Sequence, residues 1–333
     1  MKPQILKSSP GFLITLLAGT FLAACATGPR VTQQEDPHAA EKSRAYLASI
    51  ELVPLTEGYK GTKPCSVPAE AEKPAPGQIA GPSKDWKLLV LHANSCVKEK
   101  NYKTLETLAT AIARIDIDSP WGAYFLSVSA EGSGDFQRAL WMTDLAQKKA
   151  GGTSGLFSYQ KARVLYDLKE TALAMKEVQH AISLDSKLAE AYFFLAQIHD
   201  RDLEADLAIK NYQAALTADP KHYGALTHLA ELRLQTNKAD EAASLYAKAI
   251  DVRPEQISSW LRLAYIYETV QKNNQLALNT YKGLKSSMDG GAVHGHPDFD
   301  LSAKIKALES TVQARVPAAQ SQAAVVDKNK SVK

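Results

Sequence analysis

A 34-residue spacing between like residues runs through the second half of this chain. Tyr212 and Tyr246 are 34 residues apart, and so are Pro220 and Pro254. The same interval separates three Leu-Ala pairs, which begin at Leu195, Leu229 and Leu263. Self-similarity at a period of this length is typical of architectures in which each repeated unit packs only on its neighbours.

The repeated unit predicts a pair of helices. Trp260, Leu263, Ala264 and Tyr267 follow the i, i+3, i+4, i+7 pattern, which places them on one face of a first helix. A stripe of alanines on either side of Tyr246 predicts the facing second helix, because small residues let two helices approach closely. Proline cannot continue a helix, so the closing prolines predict the turn to the next unit.

Residues 84–290 are predicted to hold a series of such helix pairs. The pattern is complete in three aligned units, which begin at Ala189, Tyr223 and Ile257. Weaker forms of it fill residues 155–188 and 120–153, and residues 84–118 add a further pair. The last complete unit gains one residue before its second helix, so that Ala277 falls one position late.

The order of these features resembles the tetratricopeptide repeat. A large residue precedes Leu-Ala by three positions, an Ala-x-x-x-Tyr-x-x-Ala stripe follows, and proline closes the unit. The resemblance implies an all-α fold, a right-handed superhelix of antiparallel helix pairs. In this family the first helices line a concave groove, which usually holds an extended or helical segment of a partner protein.

Residues 291–316 are predicted to be a loop followed by a capping helix. A terminal repeat has no neighbour, so a solenoid needs such a cap. Ile305, Leu308 and Val312 would share the apolar face of the capping helix. Residues 317–333 are small and polar, and predict a disordered tail.

First-helix side chains that packing does not require are expected to face the groove. They are Phe193, Gln197, Thr227, His228, Glu231, Leu261, Arg262, Tyr265 and Glu268. The alternative for each is simple exposure, or contact with the neighbouring repeat. Phe193 and Tyr265 are the most informative, because exposed large apolar groups are unusual unless a partner covers them. The Lys and Asn residues with which some family members grip a C-terminal carboxylate are absent at the matching positions, which disfavours such a clamp.

Residues 1–24 are predicted to be a signal peptide. Lys2 and Lys7 precede an apolar stretch from Phe12 to Ala24, which has the length of a secretory core and is too short to span a bilayer. The stretch ends in Leu-Ala-Ala-Cys, which resembles the lipobox of bacterial lipoproteins and implies that Cys25 is lipidated. The alternative is an ordinary secretory cut with a chance cysteine. Residues 25–83 would then be the lipid anchor and a Pro-rich linker.

Once Cys25 is lipidated, Cys65 and Cys96 are the remaining thiols of the three cysteines. Disulfides persist in the oxidising periplasm, so an even pair in an exported chain favours one disulfide between them. Two unpaired thiols are the alternative. Because Ala26, and not Asp, follows the cysteine, the resemblance implies the periplasmic face of the outer membrane in a Gram-negative source.

The sequence contains no pattern that indicates catalysis. It has no phosphate-binding loop, no HExxH and no G-x-S-x-G. His294 and His296 could hold a metal, but the glycines and proline around them favour a solvated loop. The 39 basic and 36 acidic residues give a net charge of +3, without the clustered excess of a nucleic-acid-binding protein.

The sequence therefore predicts a protein–protein interaction scaffold of the cell envelope, with no enzymatic activity and no cofactor. The combination of lipobox and repeats is similar to pilotins and other assembly lipoproteins. That resemblance implies a partner from pilus or secretin, barrel-assembly, secretion or cell-wall machinery, and contact with the membrane through the lipid. The alternative is a ligand- or metal-binding periplasmic lipoprotein that uses the loop at residues 287–300.

Overall fold

The computed structural model describes residues 64–68 and 86–314. Consecutive helices form six pairs: α1 (Trp86–Lys98) with α2 (Tyr102–Ile115), α3 (Pro120–Gly132) with α4 (Phe136–Lys149), α5 (Gly155–Asp167) with α6 (Thr171–Leu184), α7 (Ala189–Arg201) with α8 (Ala205–Ala218), α9 (Tyr223–Gln235) with α10 (Ala239–Val252), and α11 (Ile257–Tyr265) with α12 (Asn274–Asp289). Residues 301–314 form a further helix, α13. Within the described ranges, no helix combines the length and apolarity needed to cross a membrane.

Each second helix packs on its own first helix and on the first helix of the next pair. In α8, Ala208, Tyr212 and Ala215 are fully buried, and they cluster with Ala196 of α7 and Leu229 of α9. The two alanines bring the helix axes close together, and the tyrosine ring fills the space between them. The predicted all-α fold of tetratricopeptide-type helix pairs is confirmed.

In each pair, a residue in the left-handed backbone region lies two positions after the end of the first helix, or of the π segment that continues α11. These residues, with φ between +54° and +81°, are Lys100, Gly134, Lys169, Leu203, Asn237 and Lys272. At the end of α7, the Glu204 N–H donates to the His199 carbonyl at 2.9 Å, and the Leu203 N–H donates to the Asp200 carbonyl at 3.1 Å. This is the Schellman arrangement, which satisfies the last carbonyls of a helix and reverses the chain toward the second helix.

The additional residue of the last pair is absorbed by a π-helical turn. Helix α11 continues directly into Ile266–Val270, and the Gln271 N–H donates to the Ile266 carbonyl five residues back, at 2.9 Å. A π turn holds one residue more than an α turn. Helix α12 therefore begins 35 residues after α10, whereas α10 begins 34 residues after α8.

A short segment pinned by a disulfide covers the exposed side of α1. Cys65 is bonded to Cys96, with the Cα atoms 4.6 Å apart, as the cysteine count favoured. The Pro64 carbonyl lies 2.7 Å from His92 Nδ1. His92 is the seventh residue of α1, and the seventh residue of α7, Leu195, packs on the preceding second helix. Residues 64–68 thus take the place that a preceding helix would occupy.

Helix α13 closes the other end of the array, as the terminal pattern predicted. Leu301, Ile305 and Leu308 are buried in one cluster with Leu284 of α12. Lys282 Nζ and a Glu309 carboxylate oxygen, 2.6 Å apart, add a surface ion pair. The apolar face that the last repeat would otherwise expose is covered by this helix. The expected signal peptide, the linker outside 64–68 and the tail after 314 lie outside the described residues.

Candidate functional site

The residues expected to face a groove lie on three first helices: α7, α9 and the continuous α11 and π segment. Among them, His228, Arg262 and Tyr265 are exposed, and the others are half-buried. We refer to the side chains of Gln197, Asp200, Arg201, His228, Glu231, Arg262, Tyr265 and Glu268 as the A-helix face. Thr227 is turned onto its own helix, where its hydroxyl donates to the Tyr223 carbonyl, and Leu261 packs against the cluster around α13.

Phe193 follows the alternative of contact with the neighbouring repeat. Its ring centroid lies 4.7 Å from that of His222 and 5.7 Å from that of Tyr212. The reason is Gly224 at the second position of α9, where an added Cβ would lie only 2.8 Å from Phe193 Cζ. The missing side chain leaves room for the phenyl ring, so Phe193 joins α7 to α9.

Tyrosines of the second helices hold carboxylates on the A-helix face. The Tyr212 hydroxyl donates to Asp200 at 3.4 Å, and the Tyr246 hydroxyl donates to Glu231 at 2.9 Å. The next tyrosine repeats the arrangement, with Tyr281 donating to Glu268 at 3.3 Å. Burial, with the nearby carboxylate, raises the pKa of Tyr281 to about 12, and the same causes raise the pKa of the other two tyrosines. The hydroxyls therefore stay protonated and fix the orientation of the carboxylates.

Two of these three carboxylates already have a basic neighbour. Glu268 binds Lys304 of α13 at 2.6 Å, and Glu231 lies 3.9 Å from the exposed guanidinium of Arg262. Asp200 has no ion-pair partner within the described ranges. Its Oδ2 accepts the long bond from Tyr212, and its second oxygen is open.

A concave pocket of about 380 Å³ lies where α5, α7, α8 and α9 meet. Its lining consists of Tyr166, Phe194, Gln197, Ile198, Asp200, Arg201, Tyr212 and His228. Two of the predicted groove residues, Gln197 and His228, are thus brought together. Asp200 and Arg201 were not among the predicted groove residues, although their place in the last turn of the first helix, next to Gln197, could have indicated them.

Aromatic rings form the walls of this pocket. Phe194 meets Tyr166 edge-on at 5.4 Å, and the His228 ring stacks on Tyr212 at 5.6 Å. The Arg201 guanidinium lies over the Tyr166 ring, 5.4 Å from its centroid, and donates to the Tyr166 hydroxyl. Packing against Tyr212 removes water from one side of His228, and this desolvation lowers the pKa of the imidazole. His228 is therefore neutral at pH 7.

The two histidines that were considered as metal ligands are not part of a group of metal-binding side chains. His294 and His296 are exposed in the loop before α13. In the part of the chain that the structure describes, no three His, Cys, Asp or Glu side chains are grouped as a metal site requires.

Ser158, His180 and Glu177 lie together between α5 and α6, but not as a nucleophilic relay. Ser158 Oγ is 3.3 Å from His180 Nδ1, and Glu177 Oε1 is 3.8 Å from the same nitrogen. A relay needs the serine and the carboxylate on opposite ring nitrogens. Gln147 Nε2 donates to both Ser158 and Glu177, at 2.8 and 2.9 Å, so the group joins α4, α5 and α6.

Comparison with known proteins supports the repeat architecture. A tetratricopeptide repeat family matches residues 204–267. No curated relative matches the chain by sequence. The structure of pilF from Pseudomonas aeruginosa is 13% identical, covers 62% of this chain and 93% of its own, and superposes with a TM-score of 0.50. MamA from Desulfovibrio magneticus RS-1 is 22% identical over 53% of this chain and 99% of its own, with a TM-score of 0.39.

Identities this low show the fold alone. The match at residues 204–267 covers α8 with its N-cap Glu204, α9, α10, α11 and the first two residues of the π turn. Residues 204–267 thus match a tetratricopeptide repeat, and with the helix pairs on both sides they form an all-α fold of that type.

Proposed function

We propose that this protein is a non-enzymatic scaffold of the bacterial cell envelope that binds segments of partner proteins at its A-helix face. The observation that carries the proposal is the contrast between packing and exposed positions on the same helices. Buried positions of these first helices are filled mainly by alanine and leucine, whereas the A-helix face presents fixed carboxylates, arginines and an open aromatic pocket. A surface so organised suits recognition, in which a few aromatic or arginine anchors supply most of the affinity.

Anchoring at the membrane is the second part of the proposal. The lipobox-like end of the apolar segment at Cys25 supports it, and so does the disulfide between Cys65 and Cys96, since such bonds persist in oxidising compartments. Several acyl chains hold a protein far more firmly than one, because each buried CH₂ contributes about 0.8 kcal/mol. We place the scaffold at the periplasmic face of the outer membrane, where it serves pilus, barrel-assembly, secretion or cell-wall machinery.

Two substitutions of exposed aromatic residues test the binding face. Tyr265 is 45% exposed on the A-helix face, whereas Trp141 is 64% exposed on the second helix α4. Tyr265→Ala should weaken partner binding by about 1–3 kcal/mol, as loss of an interface anchor does, and this should appear as a lower yield of crosslinked partner in cells. Trp141→Ala should leave capture unchanged. Equal capture by Tyr265→Ala and the parent chain, with loss in Trp141→Ala, would place the interface elsewhere.

The anchor is tested by Cys25→Ala. This variant should accumulate as an unprocessed precursor that takes up no labelled palmitate. Normal processing and labelling would exclude Cys25 as the lipid attachment site.

A further inference from the structure

We propose that the pocket between α5 and α9 selects a lysine or arginine side chain of the bound partner segment, with Asp200 as its counter-ion. The inference rests on the proposed function and specifies the chemistry of the partner. It starts from the charges that line the pocket, of which there are two: Asp200 and Arg201.

Arg201 is already engaged. Its guanidinium covers the Tyr166 ring and donates to the Tyr166 hydroxyl. These contacts orient the guanidinium against α5 and leave its charge in place, so an acidic side chain bound by Arg201 is the competing occupant, and the test below distinguishes the two.

Asp200 is free to receive a cation. It has no ion pair among the described residues, and its one hydrogen bond, from Tyr212, is a long 3.4 Å. Gln197 lies beside it with no hydrogen-bond partner in the described ranges, so its amide oxygen is a second acceptor. The carboxylate of Glu231 also faces His228 from the next turn of α9.

The walls and size suit a long cationic side chain. The half-buried ring of Phe194 can cover the methylene stem, and aromatic faces attract a cation placed within about 6 Å. A volume of 380 Å³ is at the low end of the roughly 300–1,000 Å³ of ligand pockets. It fits one long side chain and its flanking backbone, and a large cofactor would not fit.

The test uses random twelve-residue peptides displayed on phage and selected on the purified full-length chain. Selected peptides should be enriched for Lys or Arg at one position. Replacing that residue by methionine, which keeps the stem and removes the charge, should weaken binding at least tenfold. With Asp200→Asn, the same replacement should cost less than twofold, because the amide still accepts from Tyr212 but carries no charge.

Asp251→Asn, an exposed carboxylate at the end of the second helix α10, is the matched control and should behave as the parent chain. Binding to the A-helix face with an unchanged lysine preference in Asp200→Asn would overturn the inference and leave the proposed function standing. Enrichment of Asp or Glu in the peptides would also overturn it. Peptides that still bind after Asp200→Asn, Arg262→Ala and Tyr265→Ala are combined, or a selection that enriches none, would count against the proposed function as well.

Discussion

Glycine at the turns between paired helices should stabilise this protein, even where it replaces a leucine. Leu203 has a φ of +62° and is 90% exposed, so its side chain gains almost nothing from burial. An L-residue in this region costs about 1–2 kcal/mol, which glycine avoids. Glycine loses about 0.5–1 kcal/mol more backbone entropy on folding. Leu203→Gly should therefore raise the free energy of unfolding by about 0.5 kcal/mol, or roughly 1–2 °C in melting temperature for a domain of this size.

The same position in other pairs gives a ranked series. Lys169, with a φ of +68°, should gain as much from glycine as Leu203. Asn237 should gain least, because asparagine tolerates this region through local hydrogen bonds. Gly134 allows the reverse experiment: its φ is +81° and no atom lies within 4 Å of an added Cβ. Gly134→Ala should lower stability by about 0.5–1 kcal/mol through the backbone alone.

Urea denaturation followed by far-UV circular dichroism measures these differences. Leu207→Gly is the control of opposite sign, since Leu207 is exposed inside the regular helix α8, where glycine costs about 1 kcal/mol. The reasoning would be refuted if Leu203→Gly and Leu207→Gly destabilised the protein equally. A Gly134→Ala variant with the same unfolding free energy as the parent chain would refute it independently.

Three further predictions concern packing, the disulfide and pH. Tyr246→Ala should lower the unfolding free energy by about 3–5 kcal/mol, because the ring is 4% exposed. Tyr246→Phe should lower it by only about 1 kcal/mol, through loss of the hydrogen bond to Glu231. Equal losses for the two variants in urea denaturation would contradict this. Cys65→Ser should lower the unfolding free energy by about 2–4 kcal/mol, since it opens a loop of 31 residues, and reductant should then have no additional effect on melting. Desolvation lowers the pKa of His222, and the neutral ring accepts a hydrogen bond at Nδ1 from the Ala225 N–H at 3.0 Å. The contribution of His222 to stability is therefore present above the ordinary pKa of 6.5 and is lost as the pH falls below it. His222→Asn keeps a capping acceptor without titrating, and should flatten the fall of melting temperature below about pH 6.5; an unchanged pH profile would refute the assignment.

The repeat spacing predicted the fold because packing positions must recur wherever the same helix pair recurs. Ala208, Tyr212 and Ala215 are buried in the contact between helices. Because that contact recurs in each pair, their spacing recurs in the sequence. The inserted residue before α12 was visible too, but its structural form was not. Whether the chain loops out or widens into a π turn depends on the fit of Ile266 in the core, where it is fully buried.

The site was less visible in the sequence than the fold. Phe193 was expected to be available to a partner because the repeat pattern does not use its position for packing, yet Gly224, on the next first helix, accommodates its ring. The pocket around Asp200 draws side chains from four helices, and no linear pattern spans them. The left-handed turns at Lys169 and Leu203 also carry no glycine signal, since the surrounding helices impose that conformation.

The central claim, that partners bind at the A-helix face, is tested most directly by site-specific photocrosslinking in cells. A benzophenone amino acid would replace Tyr265 on that face, Trp141 on a second helix, or His294 in the loop before α13, all of which are exposed. We predict protein adducts from position 265 and none from the other two positions. Adducts from position 141 or 294, with none from position 265, would contradict the account.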